Sequence, residues 1–369
     1  MRAVREGFMY RLGELFSGPG GLALGAITAE VAKRPDLKIA HAWANDIDES
    51  ACATYRRNIC HNDEDKSVFC GDVRKLDISP ANPLFRDNPF NAFAFGFPCN
   101  DFSQVGEQKG IHGSYGPLYT YGVKVLETFQ PDWFVAENVS GLSSANGGSI
   151  FPQILKAMEK AGYKVYPHLY KFEEYGVPQA RHRIIIVGIN NKFKDIKYYP
   201  PVPVTPEPSA YRTAKWALEH APVPDLNNEM PRMTARVVER LKLIGEGENA
   251  FNAPRLKEHP ELQLKVKGAK ISQIYRRLDS NKPAYTVTGS GGGGTHIYHY
   301  REDRALTNRE RARLQTFPDD FEFLGTRESV RKQIGMAVPA YGARQIFEAV
   351  LKTMGGVPYE HLPACNIEF

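Results

Sequence analysis

A thiol at the end of a strand is a candidate nucleophile, and the stretch Ala94-Phe95-Gly96-Phe97-Pro98-Cys99-Asn100-Asp101-Phe102-Ser103 presents one. Its apolar half reads as a buried strand, and Pro98-Cys99 opens a polar loop. In an open α/β sheet, chemistry is placed at the ends of strands. A thiol reacts as its thiolate, which needs a positive group or a helix N-terminus nearby. Arg181 and Arg183, in Gln179-Ala180-Arg181-His182-Arg183, and the loop after Cys99 itself can supply that. Glu137, in Glu137-Asn138-Val139, offers a carboxyl at another strand end. It can donate a proton where its pocket raises its pKa. Singly, each group has an ordinary reading: a small buried hydrophobe, a hydrated carboxylate, surface charge.

A second signal lies upstream. Gly18-Pro19-Gly20-Gly21-Leu22-Ala23 fits G-x-G-x-x-A between an expected strand and an expected helix. Such glycines allow a tight turn and a close approach to a nucleotide-like ligand. Asp46, ending the second strand, is placed to bind ribose hydroxyls. Asp72, ending the third, is placed to hold an adenine amino group. The loop alone admits both NAD and S-adenosylmethionine.

The elements that must position these groups alternate. Strands are expected over 11–16, 39–43, 67–70, 91–97, 133–136, 163–169 and 183–189. Helical spacing follows the glycine loop and recurs over 49–58, 115–129, 150–161, 308–316 and 341–354. This alternation implies an α/β fold, a doubly wound and mostly parallel sheet. Prolines 200, 201, 203, 206 and 208 mark a boundary, and the stretch beyond it is irregular and rich in Lys and Arg. Gly291 to Gly294 must be loop. Hydrophobic residues at 42% and charged residues at 24% are globular values. No apolar run is long enough to span a membrane, and no signal peptide is legible, so a cytoplasmic protein is expected. The five cysteines include no CxxC pair, and His296-Ile297-Tyr298-His299 has no acidic or thiol partner at ligand spacing. No metal is read. The net charge of +5 is only compatible with a polyanionic partner.

Six motifs occur in order: Phe16-Ser17-Gly18-Pro19-Gly20-Gly21; Gly96-Phe97-Pro98-Cys99; Glu137-Asn138-Val139; Gln179-x-Arg181-x-Arg183; Arg309-Glu310-x-Ala312-Arg313-Leu314-Gln315-x-Phe317-Pro318; and Gln333-Ile334-Gly335-x-Ala337-Val338-Pro339. Together they resemble the DNA (cytosine-5) methyltransferase family, over roughly residues 11 to 350. The resemblance implies an S-adenosylmethionine-type methyltransferase sheet with a second, smaller, irregular target-recognition domain. The expected division is 1–195 plus 328–369 for catalysis and cofactor, and 196–327 for recognition. Cys99 matches the nucleophile that adds to carbon 6 of cytosine. Glu137 matches the carboxyl at nitrogen 3 and the exocyclic amino group. Arg183 matches the residue at the base carbonyl oxygen, with Arg181 beside it. For S-adenosylmethionine, the resemblance implies Phe16, Ser17, Gly18, Gly20, Gly21, Asp46, Ile47, Asp72, Val73, Pro98, Leu118, Ala337 and Val338. For double-stranded DNA it implies Asn100, Ser103, Thr286, Gly291 and Gly292, with the target base flipped from the duplex.

Three positions depart from the usual family pattern: Asn100, where Gln is common; Met336, where Gly-Asn is commoner; and Pro117. The resemblance implies a monomeric, sequence-specific modification enzyme paired with a restriction endonuclease. The alternatives are a tRNA cytosine-5 methyltransferase, an inert DNA-binding regulator on the same fold, and an NAD-dependent oxidoreductase. The long segment between motifs favours a DNA reader over a tRNA enzyme. Intact Cys99, Glu137 and Arg183 argue against an inert regulator.

Overall fold

The computed structural model describes residues 9–97, 118–139, 141, 150–264, 272–292 and 294–367. Pro98, Cys99, Asn100, Ser103 and Pro117 lie outside the described residues. Nine strands run in chain order among those described: β1 (Met9–Leu15), β2 (Lys38–Asp46), β3 (Val68–Cys70), β4 (Ala92–Gly96), β5 (Trp133–Val139), β6 (Tyr163–Lys171), β7 (Gln179–Ala180), β8 (His182–Asn190) and β9 (Ala284–Tyr285). The chain divides into two compact units. One comprises Met1–Lys171, His182–Val204 and Ala340–Phe369; the other comprises Phe172–Arg181 and Thr205–Pro339.

The first unit is built on a seven-stranded sheet of order β3-β2-β1-β4-β5-β8-β6. From β3 to β5 all neighbours are parallel. β8 then runs antiparallel to both β5 and β6. The central strands are apolar without alternation, as parallel strands covered on both faces must be: Ala92 to Phe95 and Trp133 to Ala136 are all essentially inaccessible. Phe93, Phe95 and Phe134 join Trp43 and helix residues Val125, Leu126, Ile154 and Leu155 in one core. Helix Gly21–Ile27 packs on helix Ala340–Gly355, which returns the end of the chain to this sheet. The reversal at β8 follows from the chain path. β8 re-enters 11 positions after β6 ends, with β7 between them, too close for the crossover a parallel pair needs. Among the described residues, no helix is long and apolar enough to cross a membrane.

Among its described residues, the second unit has little regular structure: the β7–β9 pair and short helices such as Asn308–Leu314 and Arg327–Met336. Irregular backbone leaves carbonyl groups without ladder partners, and buried ones must be satisfied otherwise. Arginines do this here. Arg309 donates to the carbonyls of Leu226, Pro318 and Phe321. Arg277 donates to those of His299, Glu302 and Leu241 and pairs with Asp303. Arg313 reaches the carbonyls of Ala221 and Pro222 and pairs with Asp319. Much of the basic composition of this segment is therefore internal scaffolding. Residues 328–339, expected with the first unit, group with the second.

Candidate active site

β4 and β5 are parallel with Gly96 opposite Glu137, and β5 and β8 are antiparallel with Val139 opposite Arg183. Three strand ends thus converge. Arg183 Nε lies 2.9 Å from Glu137 Oε1, with both side chains 13% exposed. A Cβ at Gly96 would meet Glu137 Oε2 at 3.3 Å, so the carboxylate lies over the end of β4. Asn138, buried, donates from Nδ2 to the carbonyl of Phe97 at 2.9 Å. The chain therefore leaves β4 at a fixed point, directly before Pro98-Cys99. Chemically, the pair presents a carboxylate and a fork of donors side by side. That set suits a heterocycle carrying a carbonyl oxygen, a ring nitrogen and an amino group.

Arg181 is placed differently. It is 1% exposed, and its guanidinium donates to the carbonyls of Val287 at 3.0 Å, Gly335 at 3.2 Å and Ala337 at 2.9 Å, all in the second unit. Thr286 Oγ1 donates to the carbonyl of Ala180 at 2.8 Å, beside the β7–β9 pair.

The glycine turn lies at the end of β1. Gly18 has φ 54°, and a Cβ there would meet nothing within 4 Å. Gly20 has φ 99°, and its Cβ would meet Ile59 at 2.9 Å and Tyr55 at 3.1 Å. Gly21 begins the following helix. Phe16 holds φ 57°, a left-handed conformation unusual outside glycine. Asp46 accepts the Gly18 N–H at 2.7 Å and the Asp48 N–H at 2.9 Å, and burial moves its pKa upward. Ile47, next to it, is 67% exposed. Asp72 caps a short turn and pairs with Arg74, which holds its carboxyl below the ordinary range.

These residues fit a nucleoside-bearing cofactor. Among the described residues, the Ser17 hydroxyl is buried without a hydrogen-bond partner, the space above Gly18 is open, and an apolar side chain stands exposed beside Asp46. Val73, which follows Asp72, is far more enclosed than Ile47, which follows Asp46. It is 4% exposed and belongs to the core cluster with Leu15 and Phe97, not to an open face. Leu118, first in its helix, is in the same cluster. Ala337 and Val338 are buried in the second unit.

Sequence reasoning passed over one buried group here. Glu14, on β1, is 1% exposed and accepts from Tyr55 Oη at 3.2 Å. Burial pushes its carboxyl up to about 8. Its signal was a carboxylate set between Gly13 and Leu15 near the end of β1. Tyr55 Oη in turn lies 3.1 Å from His41 Nδ1, and His41 Nε2 lies 2.7 Å from Ser67 Oγ. Among the described residues, His41, Cys60 and Asp65 bring three metal-capable atoms within 4.8 Å of one another. Both His41 nitrogens are already engaged.

A seven-stranded sheet in which one strand, β8, runs against its neighbours, and a glycine turn with strand-end carboxylates, define an α/β methyltransferase. The sequence model for C-5 cytosine-specific DNA methylase matches residues 10–352, and the chain belongs to that family. Its activity is that of a DNA (cytosine-5-)-methyltransferase. It is 57% identical over 357 residues to the Type II methyltransferase M.BbvI of Brevibacillus brevis, covering 95% of this chain and 93% of that one. It is 40% identical over 343 residues to the Type II methyltransferase M.NgoFVII of Neisseria gonorrhoeae, covering 91% and 85%. The fold is shared with the Entamoeba histolytica methyltransferase EhMeth (TM-score 0.63, 13% identity, covering 94% and 99%). It is shared also with the S. pombe Dnmt2 methyltransferase (TM-score 0.59, 15% identity, covering 95% and 100%).

Proposed function

We propose that the protein methylates carbon 5 of a flipped cytosine in a specific sequence of double-stranded DNA, through a covalent adduct of Cys99 at carbon 6. The observation that carries this reading is the Glu137–Arg183 pair beside the exit of β4, one residue upstream of Pro98-Cys99. Carbon 5 of cytosine is too weak a nucleophile to be methylated unaided. Thiolate addition forms the sulfur–carbon 6 bond and moves an electron pair toward nitrogen 3 and the carbonyl oxygen. Glu137 relieves that charge at nitrogen 3 and the amino group, and Arg183 does so at the oxygen. Carbon 5 is then an enamine carbon able to attack. Loss of the carbon 5 proton to a base returns the electron pair and breaks the sulfur–carbon bond.

S-adenosylmethionine supplies an electrophilic sulfonium methyl group when bound. Ser17, Gly18, Asp46, Ile47 and Asp72 would hold it at the glycine turn, and Phe16, Gly20 and Gly21 shape that turn. The target atom is out of reach inside a duplex, so the base must leave the stack. The second unit, with Thr286, Gly291 and Gly292, carries target recognition in this reading, and Asn100 and Ser103 approach the DNA from the Cys99 loop. We read Arg181 as the brace of the second unit. A monomer acting in the cytoplasm beside a cognate restriction endonuclease completes the proposal; the Type II relatives support that setting.

The test is trapping on duplex DNA containing 5-fluorocytosine. The wild type should form a covalent adduct and Cys99→Ser should not. An adduct that persists in Cys99→Ser refutes the assignment, and methyl transfer only to tRNA refutes the substrate.

A further inference from the structure

Among the described residues, the second unit satisfies its buried arginines with carbonyls and carboxylates, Arg311 excepted. Arg311 shares helix Asn308–Leu314 with Arg309 and Arg313 and is equally inaccessible, at 1% exposure. Among the described residues, neither its Nη1 nor its Nη2 has a hydrogen-bond partner. The adjacent carboxylate of Glu310 acts on Arg311 through its charge and is hydrogen-bonded elsewhere. Glu310 is held through both oxygens by Arg304, each at 2.8 Å, and it also accepts the N–H of Thr307. Burial lowers the Arg311 pKa to about 10, and the nearby charge of Arg331 adds to the fall. The group is still a cation at neutral pH. A buried cation without its anion is costly, and its persistence calls for a reason.

The surroundings name the missing partner. Arg331 lies against the glycine loop: a Cβ at Gly291 would sit 2.6 Å from Arg331 Cζ and 2.8 Å from His296 Cε1. His296 carries a pKa lowered to about 4 by burial and by Arg311 and Arg331, so at neutral pH it is a neutral ring with one N–H to offer. Among the described residues, Arg331 makes a weak bond to the carbonyl of Gly289 at 3.4 Å and an ion pair with Glu328, itself 84% exposed. Gly292, at φ 124°, faces open space. The Arg331 guanidinium and the His296 imidazole thus lie against a loop whose bare main chain permits close approach, and the unbonded Arg311 guanidinium is close enough for its charge to act on both. That is a receptor for an oxyanion, and arginine forks match phosphate oxygens.

We propose that Arg311, with Arg331 and His296, is an anion receptor beneath the 288–292 loop and takes a phosphate oxygen of the DNA backbone when the enzyme engages its substrate. The inference rests on duplex DNA being that substrate. The unbonded Nη atoms leave the Arg311 guanidinium able to turn toward the phosphate. The fixed arginines, Arg277, Arg309 and Arg313, have no such freedom. Arg311 then supplies affinity and register, not base readout.

The experiment compares wild type, Arg311→Met and Arg311→Lys as full-length proteins. It measures thermal midpoints and the salt dependence of binding to duplex DNA containing the methylated site. Arg311→Met removes an unpaired buried charge at similar volume, so its midpoint should hold or rise. Its DNA affinity should fall about tenfold, and the slope of log K against log salt should become shallower by about 0.9. Arg311→Lys should keep most of the slope. An Arg311→Met protein that binds DNA with the wild-type slope overturns the proposal. So does a weakened affinity that accompanies a lowered midpoint with no change of slope, which would mark a structural role. If inorganic phosphate raises the wild-type midpoint but not that of Arg311→Met, and the DNA slopes are equal, the anion is free and the DNA assignment falls. A wild type without salt-dependent DNA binding would overturn the substrate reading, and this inference with it.

Discussion

Arg183 Nε stands 2.9 Å from Glu137 Oε1, and the register that places them is the antiparallel pairing of β5 with β8. A one-residue slip of either strand would turn one of the two side chains to the opposite face. The contact is therefore as well fixed as the sheet. It neutralises a half-buried carboxylate and orients a guanidinium before any substrate arrives. Arg183 Nη1 is held further by the carbonyl of His182 at 2.7 Å.

Preorganisation of this kind should fail differently on its two sides. Glu137→Gln keeps the shape and removes the charge. It is expected to lower single-turnover methyl transfer by roughly 100-fold or more, with S-adenosylhomocysteine affinity unchanged. Arg183→Lys keeps the charge and loses the fork, so it should slow transfer while leaving cofactor affinity alone. Stopped-flow or quench-flow transfer, paired with calorimetry, reads both. A Glu137→Gln enzyme of wild-type rate would remove Glu137 from the chemistry.

The two left-handed glycines of the cofactor turn should separate in the same way. Gly18→Ala meets open space and carries only the left-handed penalty, about 1 kcal/mol. Gly20→Ala adds a clash with Ile59 and Tyr55, about 1–3 kcal/mol more. Urea unfolding should rank Gly20→Ala as the less stable protein. S-adenosylhomocysteine titration should show Gly18→Ala folded but weak in binding, because its methyl occupies the open space. Equal stability of the two would contradict the contacts described for Gly20.

Much of this was legible in the chain. Ala92 to Phe97 and Trp133 to Ala136 are apolar runs ended by polar residues, and such runs mark buried strands and their ends. Asp46 and Gly18 were readable because a turn and a strand end constrain residue types. What could not be read depends on which neighbour a side chain meets. Arg181 and Arg183 are two positions apart in one motif, yet one faces Glu137 and the other turns to the carbonyls of the second unit. Val73, which the resemblance sets at the cofactor, is a core residue by burial. Residues 328–339 carry no composition break, but the carbonyls of Ile334, Gly335 and Ala337 receive Gln315 and Arg181, which ties them to the second unit.

Glu14 predicts a pH effect whose sign can be worked out. Unfolded, a glutamate titrates near 4.5, and in the fold burial pushes Glu14 up to about 8, against the pull of the Tyr55 hydrogen bond. The folded chain holds the proton more tightly, so this contribution to stability is full below pH 4.5 and is lost as pH rises through 8. At about 1.4 kcal/mol for each pH unit separating the two values, the loss is on the order of 4–5 kcal/mol. Glu14→Gln stays neutral throughout and should lose correspondingly less stability across that window. Urea midpoints across the window compare the two proteins. A parallel decline in both would remove Glu14 as its source.

Arg181 tests whether one motif performs two separate jobs. Its guanidinium holds three main-chain carbonyls, those of Val287, Gly335 and Ala337, in a region with few ladders to replace it. Each buried acceptor left without a donor costs about 1–3 kcal/mol. Ala337 also accepts from Gln315 Nε2 at 3.2 Å, so it is not wholly orphaned. Arg181→Ala should therefore destabilise the protein by roughly 3 kcal/mol or more, and its activity should fall with the folded fraction. Arg183→Ala should do the reverse, keeping most of the stability and losing the rate. Hydrogen exchange localises the effect: in Arg181→Ala, protection should fall in helix Arg327–Met336 while β4 and β5 keep theirs. Intact protection in that helix, with a collapse of the catalytic rate, would place Arg181 at the substrate instead.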